Sequence, residues 1–211
     1  MKLNPIMRLS PRFVLFVAAG LLFMGHLLPW AAHKTSALTL TGHELSPFTN
    51  FTPGAGVFLN EWFYLPLWVS AILLALVTAA AASRLARGMG GALAATIAAL
   101  GLPPYPQILT AWMDANYRIQ FGVTLVVIVI VLAVMLFRGA VMRLRPRLAV
   151  VALALLALGA GVPWVGYLAV RPAIEQLYRD TTALGAGWWL TLAGAMTLLL
   201  AAARVLQSSK S

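Results

Sequence analysis

Apolar positions along this chain gather into long, nearly unbroken runs separated by short polar or proline-rich stretches. Most runs approach the roughly 20 residues a helix needs to cross a hydrocarbon core about 30 Å thick. They predict helices over about Phe13–Ala32, Trp62–Ser83, Gly90–Leu102, Ile119–Phe137, Leu148–Leu168 and Gly187–Leu206. The third is the awkward one, because Pro103-Pro104-Tyr105-Pro106 interrupts it. Proline removes an amide donor and clashes with the preceding turn, so this span ends near Leu102 or breaks and resumes before Trp112. Between Arg171 and Ala186 a short interfacial helix is expected, since Arg171, Glu175 and Arg179 are spaced by four and can pair. The expected fold class is all-α, a polytopic membrane helix bundle of about six transmembrane helices arranged as three hairpins. It forms a single transmembrane domain over residues 1–211, with an outer loop at about 33–61 and inner basic turns at about 84–90 and 138–147.

Composition strengthens this picture. Only 9% of the 211 residues are charged and 62% are hydrophobic, whereas soluble domains carry about 25% charged residues. The net charge of +10 would point to nucleic acid in a soluble protein. Here the basic residues flank the spans, and nucleic acid is not an expected partner. With the N-terminus inside, the inner flanks hold Lys2, Arg8, Arg12, Arg84, Arg87, Arg138, Arg143, Arg145, Arg147, Arg204 and Lys210. The outer loops hold only Lys34, Arg118, Arg171 and Arg179. That excess places both termini in the cytoplasm, as for a bacterial inner-membrane protein. The basic start resembles a signal peptide, but the apolar run continues through Leu27-Leu28-Pro29-Trp30 without a clean cleavage site, so retention is expected.

The acids and aromatic residues lean the other way. Glu44, Glu61, Asp114, Glu175 and Asp180 all fall outside, as does every tryptophan and tyrosine. Aromatic belts normally occupy both interfaces, so the outer face either anchors the protein or recognises a lipid, a quinone-like ring or a partner. Three odd-numbered spans end alike, in Gly25-His26-Leu27-Leu28-Pro29-Trp30, Gly101-Leu102-Pro103-Pro104-Tyr105 and Gly161-Val162-Pro163-Trp164. Such a repeat fits three parallel hairpins. Small residues recur every four at Gly91, Ala95 and Ala99 and at Ala193, Thr197 and Ala201, a pattern that lets helices approach closely. The fourth span lacks it and is expected to face lipid.

Candidate chemistry is sparse. The absence of cysteine removes thiol nucleophiles, thiolate metal sites and disulfides. No lysine lies inside a span to hold retinal, and no nucleophile elbow, zinc-binding His-Glu-x-x-His helix or Walker loop is present. No pairing of nucleophile with base points to an enzyme. His26 is ionisable within a span and could ligate a haem or chlorophyll metal, or simply be hydrogen-bonded near the interface. Asp114, Asn116, Tyr117, Arg118 and Gln120 form the densest polar cluster, beside the broken span, where transporters often bind ligands. The bland alternative is a solvated turn with an Asp114–Arg118 pair. Glu61 either contributes to a site or opens the second helix, where negative charge suits the helix dipole.

The segments Leu28-Pro29-Trp30, Leu38-Thr39-Leu40-Thr41-Gly42-His43-Glu44-Leu45 and Phe63-Tyr64-Leu65-Pro66-Leu67 resemble those of uncharacterised bacterial multi-pass membrane proteins, some associated with ABC-type export systems. Tyr117-Arg118-Ile119-Gln120 and Gly185-Ala186-Gly187-Trp188-Trp189-Leu190 are similar too. The resemblance implies a transport partner and no catalytic residue. The sequence leads first to a non-enzymatic membrane subunit of a larger assembly, with the lipid bilayer and another membrane protein as partners. A small-molecule or lipophilic-ligand carrier built on the broken third span stands second. A pigment- or haem-associated subunit stands third. The candidate binding residues are Asp114, Asn116, Tyr117, Arg118, Glu61 and His26; no cofactor and no metal ligand set is identified.

Overall fold

Ser10 starts the first described helix: its hydroxyl accepts the amide of Phe13 at 3.2 Å, and Pro11 fills the first helical position, where a missing N–H costs nothing. The computed structural model describes residues 10–33, 39–49, 61–143 and 146–208. Lys2, Arg8, Lys34, Arg145 and Lys210 lie outside them. The chain is all-α in character, with eight α-helices among the described residues. These are α1 (Pro11–Leu27), α2 (Gly42–Thr49), α3 (Leu65–Ala79), α4 (Arg84–Ala99), α5 (Arg118–Leu136), α6 (Arg138–Val141), α7 (Pro146–Tyr178) and α8 (Ala186–Ser208).

Four helical stretches are long and apolar enough to cross a membrane: Glu61–Ala79, Arg118–Leu136, Pro146–Tyr178 and Ala186–Gln207. The first includes a 3-10 turn, Glu61–Tyr64, that leads into α3. Helix α1 is apolar but has 17 residues, and α4 has 16.

Helix α3 is the axis of the bundle. It packs against α1, α4, α5 and α7, while α8 lies between α1 and α7. Neighbours along the chain run antiparallel. Thr78 near the end of α3 meets Gly90 near the start of α4, and Met135 near the end of α5 meets Gly91. Gly25 near the end of α1 meets Gly187 and Thr191 at the start of α8. Arg12, Arg84, Arg87, Arg138, Arg143, Arg147 and Arg204 therefore gather at one end, and the described tryptophans and tyrosines toward the other. We call these the basic and aromatic ends.

The helices depart from the sequence reading in several places, the first being α1, which ends at Leu27 with Pro29–Ala32 extended as a strand rather than running on to Ala32. Helix α4 begins at Arg84 rather than near Gly90, because Ser83 caps it by accepting the amide of Ala86 at 3.4 Å. The expected basic turn at 84–90 is thus helical, and Arg87 turns back to donate to the carbonyls of Ala81 and Ala82 at 2.7 and 2.8 Å. Helix α7 runs unbroken for 33 residues through Pro163 and Pro172. No separate interfacial helix forms there; α7 itself carries the Arg171–Glu175 ion pair at 3.0 Å. At about 1.5 Å per residue it is about 50 Å long. The small-residue stripe of α8 is in a different register: Ala193 is exposed, while Thr191, Gly194, Ala195, Leu198 and Ala201 are buried.

Loops close the aromatic end. Strand β1 (Pro29–Ala32) is the centre of a three-stranded antiparallel sheet between β2 (Leu40–Thr41) and β3 (Ala183–Leu184). Trp30 hangs fully buried beneath it, donating its indole N–H to the Gly25 carbonyl at 2.7 Å. Phe63 and Tyr167 meet its ring edge-on, each at 5.9 Å.

The aromatic set therefore divides. Trp30, Trp68, Trp188, Tyr64 and Tyr167 are core residues, whereas Trp62, Trp112, Trp189 and Tyr105 are exposed. The fourth predicted span, α5, does present a bare apolar face, with Val126, Val129, Leu132 and Leu136 exposed. The repeated Gly-Pro-aromatic ends are not equivalent. Gly25 and Gly101 are pressed against neighbouring elements, while the Cβ position of Gly161 is open.

Candidate polar pocket at the aromatic end

The broken third span is anchored by α5. Helix α4 ends at Ala99, where the amides of Leu100, Gly101 and Leu102 turn back onto its last carbonyls and leave the Gly101 carbonyl to be met from α5. Gln120 donates through Nε2 to the Gly101 carbonyl at 2.9 Å, and the Thr124 hydroxyl donates to the same oxygen at 2.9 Å. Both side chains are buried. The span does not resume as a transmembrane helix: residues 101–117 form turns with one short 3-10 segment, Gln107–Leu109.

Opposite this anchor stands helix α2, positioned by a reciprocal cap. Thr41 donates its amide to Glu44 Oε2 at 2.8 Å, while the Glu44 amide donates to Thr41 Oγ1 at 3.3 Å. One residue into α2, His43 meets two rings from the helices below. The centroids of His26 and His43 are 5.7 Å apart, those of His43 and Tyr64 5.5 Å, and those of His26 and Tyr64 5.6 Å. Three rings from α1, α2 and the entry to α3 thus form a triangle. The Tyr64 hydroxyl reaches the side chains of Gln120 and Ser46.

A small cavity of about 70 Å³ opens beside the triangle, between His43, Ser46, Tyr64, Asn116, Tyr117 and Gln120, with Pro104 at its edge. Its polar groups are hydroxyls, amides and one imidazole. His26 is fully buried behind it, with Nδ1 at 3.1 Å from the Phe63 carbonyl. A carbonyl only accepts, so the proton sits on Nδ1 and Nε2 carries a lone pair. Among the described residues Nε2 has no hydrogen-bond partner. A buried acceptor without a donor is costly, although His26 itself stands behind the lining residues rather than among them.

The sequence candidates separate cleanly. Asn116 and Tyr117 line the cavity, and His26 backs it. Asp114 is drawn into its own turn, accepting the Asn116 amide at 2.9 Å. It forms no ion pair with Arg118 among the described residues, and neither side chain lines the cavity. Glu61 is buried at the start of the 3-10 turn, as its helix-opening role anticipates, and is not part of the cavity either. Sequence reasoning passed over His43, Ser46 and Tyr64. The signal available for the first two was the spacing Thr41-x-x-Glu44, a capping box that announces a helix.

His43 keeps one side to solvent, and burial of the other lowers its pKa below 6.5 against the opposing pull of Glu44. The unfolded chain then binds the proton more readily than the folded one, so stability rises with pH between the two values. The contribution is complete above pH 6.5 and is lost as pH falls from there toward the folded-state pKa. Thermal unfolding followed from pH 8 to pH 5 should show a decline below about 6.5, the ordinary histidine value. His43→Gln should make that decline shallower without abolishing it; an unchanged slope would assign all of it to other groups.

A second feature of the aromatic end is an open cleft of about 430 Å³ lined by His33, Arg171, Asp180 and Thr182. His33 Nε2 contacts Asp180 at 3.2 Å, and Arg171 donates to the Thr182 carbonyl. These contacts fasten the end of α7 to β1 and β3. Among the described residues no group of three or more histidine or acidic side chains is placed to hold a metal. No protein-family profile, curated protein or solved structure is detectably similar to this chain.

Proposed function

We propose that this chain is an integral protein of a bacterial inner membrane that crosses it six times, with both termini cytoplasmic, and that it binds the polar end of a lipophilic small molecule at its outer face. The membrane reading rests on the four long apolar helices and on the bare leucines, valines and methionines along α4, α5, α7 and α8. Soluble monomers rarely expose apolar patches of more than a few hundred Å². The packing supports six crossings. Helices α1 and α4 both run from the basic to the aromatic end, each packed on the oppositely directed α3, and each is continued at the aromatic end by non-helical chain. The concentration of arginine at the basic end supports the orientation.

The observation that carries the binding reading is the cavity bounded by His43, Ser46, Tyr64, Asn116, Tyr117 and Gln120, with the unpartnered His26 nitrogen behind it. Uncharged donors and acceptors converging on a small concavity suit a hydroxyl, carbonyl or quinone-like head rather than an ion. The third sequence reading, a haem or pigment site, is not supported by this geometry, because about 70 Å³ is far below the roughly 300 Å³ at which cofactor sites begin.

Gentle extraction from the native membrane, followed by mass spectrometry of bound small molecules, tests the proposal. One hydrophobic compound should co-purify with the wild-type chain and be depleted from Gln120→Leu. That substitution leaves Thr124 to cap Gly101, so the bundle should stay folded. Recovery of the same lipids from both proteins in equal amounts would count against the pocket.

A subunit role in a larger transport assembly, the role implied by the export-system resemblance, is a second proposal. It is favoured by the exposed Tyr105, Leu109, Trp112 and Met113 on the segment beyond α4. A stoichiometric membrane partner in the same extract would support it, and its absence would weigh against it.

A further inference from the structure

The pocket can seat only the tip of a ligand, so the remainder must lie elsewhere. An apolar groove of about 220 Å³ runs between α1, α3 and α4, lined by Phe16, Gly20, Phe23, Leu74, Leu93 and Ile97. The one hydroxyl in its wall, Ser70, is turned away onto the Leu67 carbonyl at 2.7 Å, leaving the groove dry. Helices α1 and α4 both pack on α3, and the space between them is kept open by glycine: a Cβ at Gly20 would meet no heavy atom within 4 Å.

The groove is aligned beneath the pocket. Phe16 to Phe23 covers about 10 Å of α1, and His26 follows less than a turn beyond, at about 1.5 Å per residue. On α3, Ser70 lies six residues, or about 9 Å, below Tyr64. The two helices that wall the groove therefore carry two corners of the ring triangle at their upper ends. The groove's length is most of one leaflet, half of a core about 30 Å thick. By contrast, Val126, Val129 and Leu132 form an exposed row along one face of α5.

We propose that this groove holds the hydrocarbon chain of the ligand whose head occupies the pocket, so that the ligand class is a single amphipathic lipid with an uncharged, hydroxyl- or carbonyl-bearing head. The inference rests on the pocket reading above. The head is uncharged because the pocket wall offers Ser46, Tyr64, Asn116 and Gln120 in place of fixed charge. The chain is placed in the groove because the groove opens roughly 5–9 Å below His26 and Tyr64 along α1 and α3, at about 1.5 Å per residue.

The test uses the full chain in phosphatidylcholine nanodiscs doped with 1-palmitoylglycerol carrying a diazirine in mid-chain. After illumination, cross-links are mapped by mass spectrometry and thermal stabilisation by the same lipid is recorded. Labelling should concentrate on Phe16–Phe23 and Leu93–Ile97 over the reference face of α5. Gly20→Phe should reduce it to the α5 level, with Gly20→Leu intermediate. The Cβ of either substitution enters open space, and thermal stability without the probe reports whether the fold is kept.

Equal labelling of groove and α5, or groove labelling unaffected by Gly20→Phe in a folded protein, overturns the chain site. Stabilisation that depends on Gln120 without groove labelling overturns the groove and leaves the pocket standing. Groove labelling that is lost in Gly20→Phe yet unchanged, with stabilisation unchanged, in Gln120→Leu overturns the pocket reading and the joint ligand together.

Discussion

Gly187→Leu should separate α1 from α8 and leave little folded protein at the growth temperature. A Cβ at Gly187 would lie 2.6 Å from the Gly25 carbonyl oxygen and 2.6 Å from Trp30 Cδ1. Neither can yield locally. The carbonyl already accepts the Trp30 indole at 2.7 Å, and that ring is fully enclosed. Gly25 makes the reciprocal approach, with a Cβ there only 2.8 Å from the Thr191 amide nitrogen. Relief requires moving one helix away from the other. Overpacking a tight site costs about 1–3 kcal/mol and occasionally more, and contact with backbone puts this change at or above the upper figure. Gly122→Ala is the control: its Cβ meets nothing within 4 Å, and alanine in a helix gains up to about 1 kcal/mol over glycine. Thermal unfolding in detergent should therefore fall sharply for Gly187→Leu and hold or rise for Gly122→Ala.

Trp30→Ala should be the most damaging substitution that leaves the backbone unstrained. It empties the space between Phe63 and Tyr167 and removes the donor from the Gly25 carbonyl. Truncating a buried tryptophan costs about 3–5 kcal/mol. For a chain of this size each kcal/mol lowers the midpoint by about 2–4 °C, so a loss on the order of 10 °C is expected. The site should suffer with the fold, because Phe63, whose carbonyl fixes the His26 tautomer, packs on the lost ring. Trp30→Phe should recover most of the stability and not the indole hydrogen bond. A Trp30→Ala midpoint within a degree of wild type would show that the ring is not the keystone inferred from its burial.

What could be read in the sequence was what hydrophobic periodicity and length control. The apolar runs located the six longest of the eight described α-helices, and the pairing of Arg171 with Glu175 followed from their spacing. Helix starts set by a single capping side chain, Ser83 for α4 and the Thr41–Glu44 pair for α2, were outweighed by glycine and proline content nearby. The face that a small-residue stripe turns inward was misjudged, because several adjacent registers of α8 are equally small and only the position of α1 decides among them. The polar pocket was half legible. Asn116, Tyr117 and Gln120 are consecutive or nearly so and stood out as a cluster, whereas His43, Ser46 and Tyr64 reach it from other segments. His26 was noticed for its depth. Its neighbours depend on how α2 folds back over the bundle, which no local pattern encodes. The tryptophans misled in part, because a ring at the end of a span reads the same whether it faces headgroups or plugs the core.

The order of the sheet bears on how the protein can be made. Strand β1 lies between a strand that follows it within ten residues and one supplied some 150 residues later, immediately before the last helix. On the membrane reading proposed above, a chain emerging from the ribosome and inserting helix by helix can pair β1 with β2 early. Until Ala183–Leu184 and α8 arrive, Trp30 has no roof and Gly25 no partner across the bundle. Completion of the aromatic end thus waits for the last elements of the chain. A nascent chain stalled or cleaved before α8 would expose an unpaired strand and an uncovered tryptophan, the kind of surface that membrane quality control recognises.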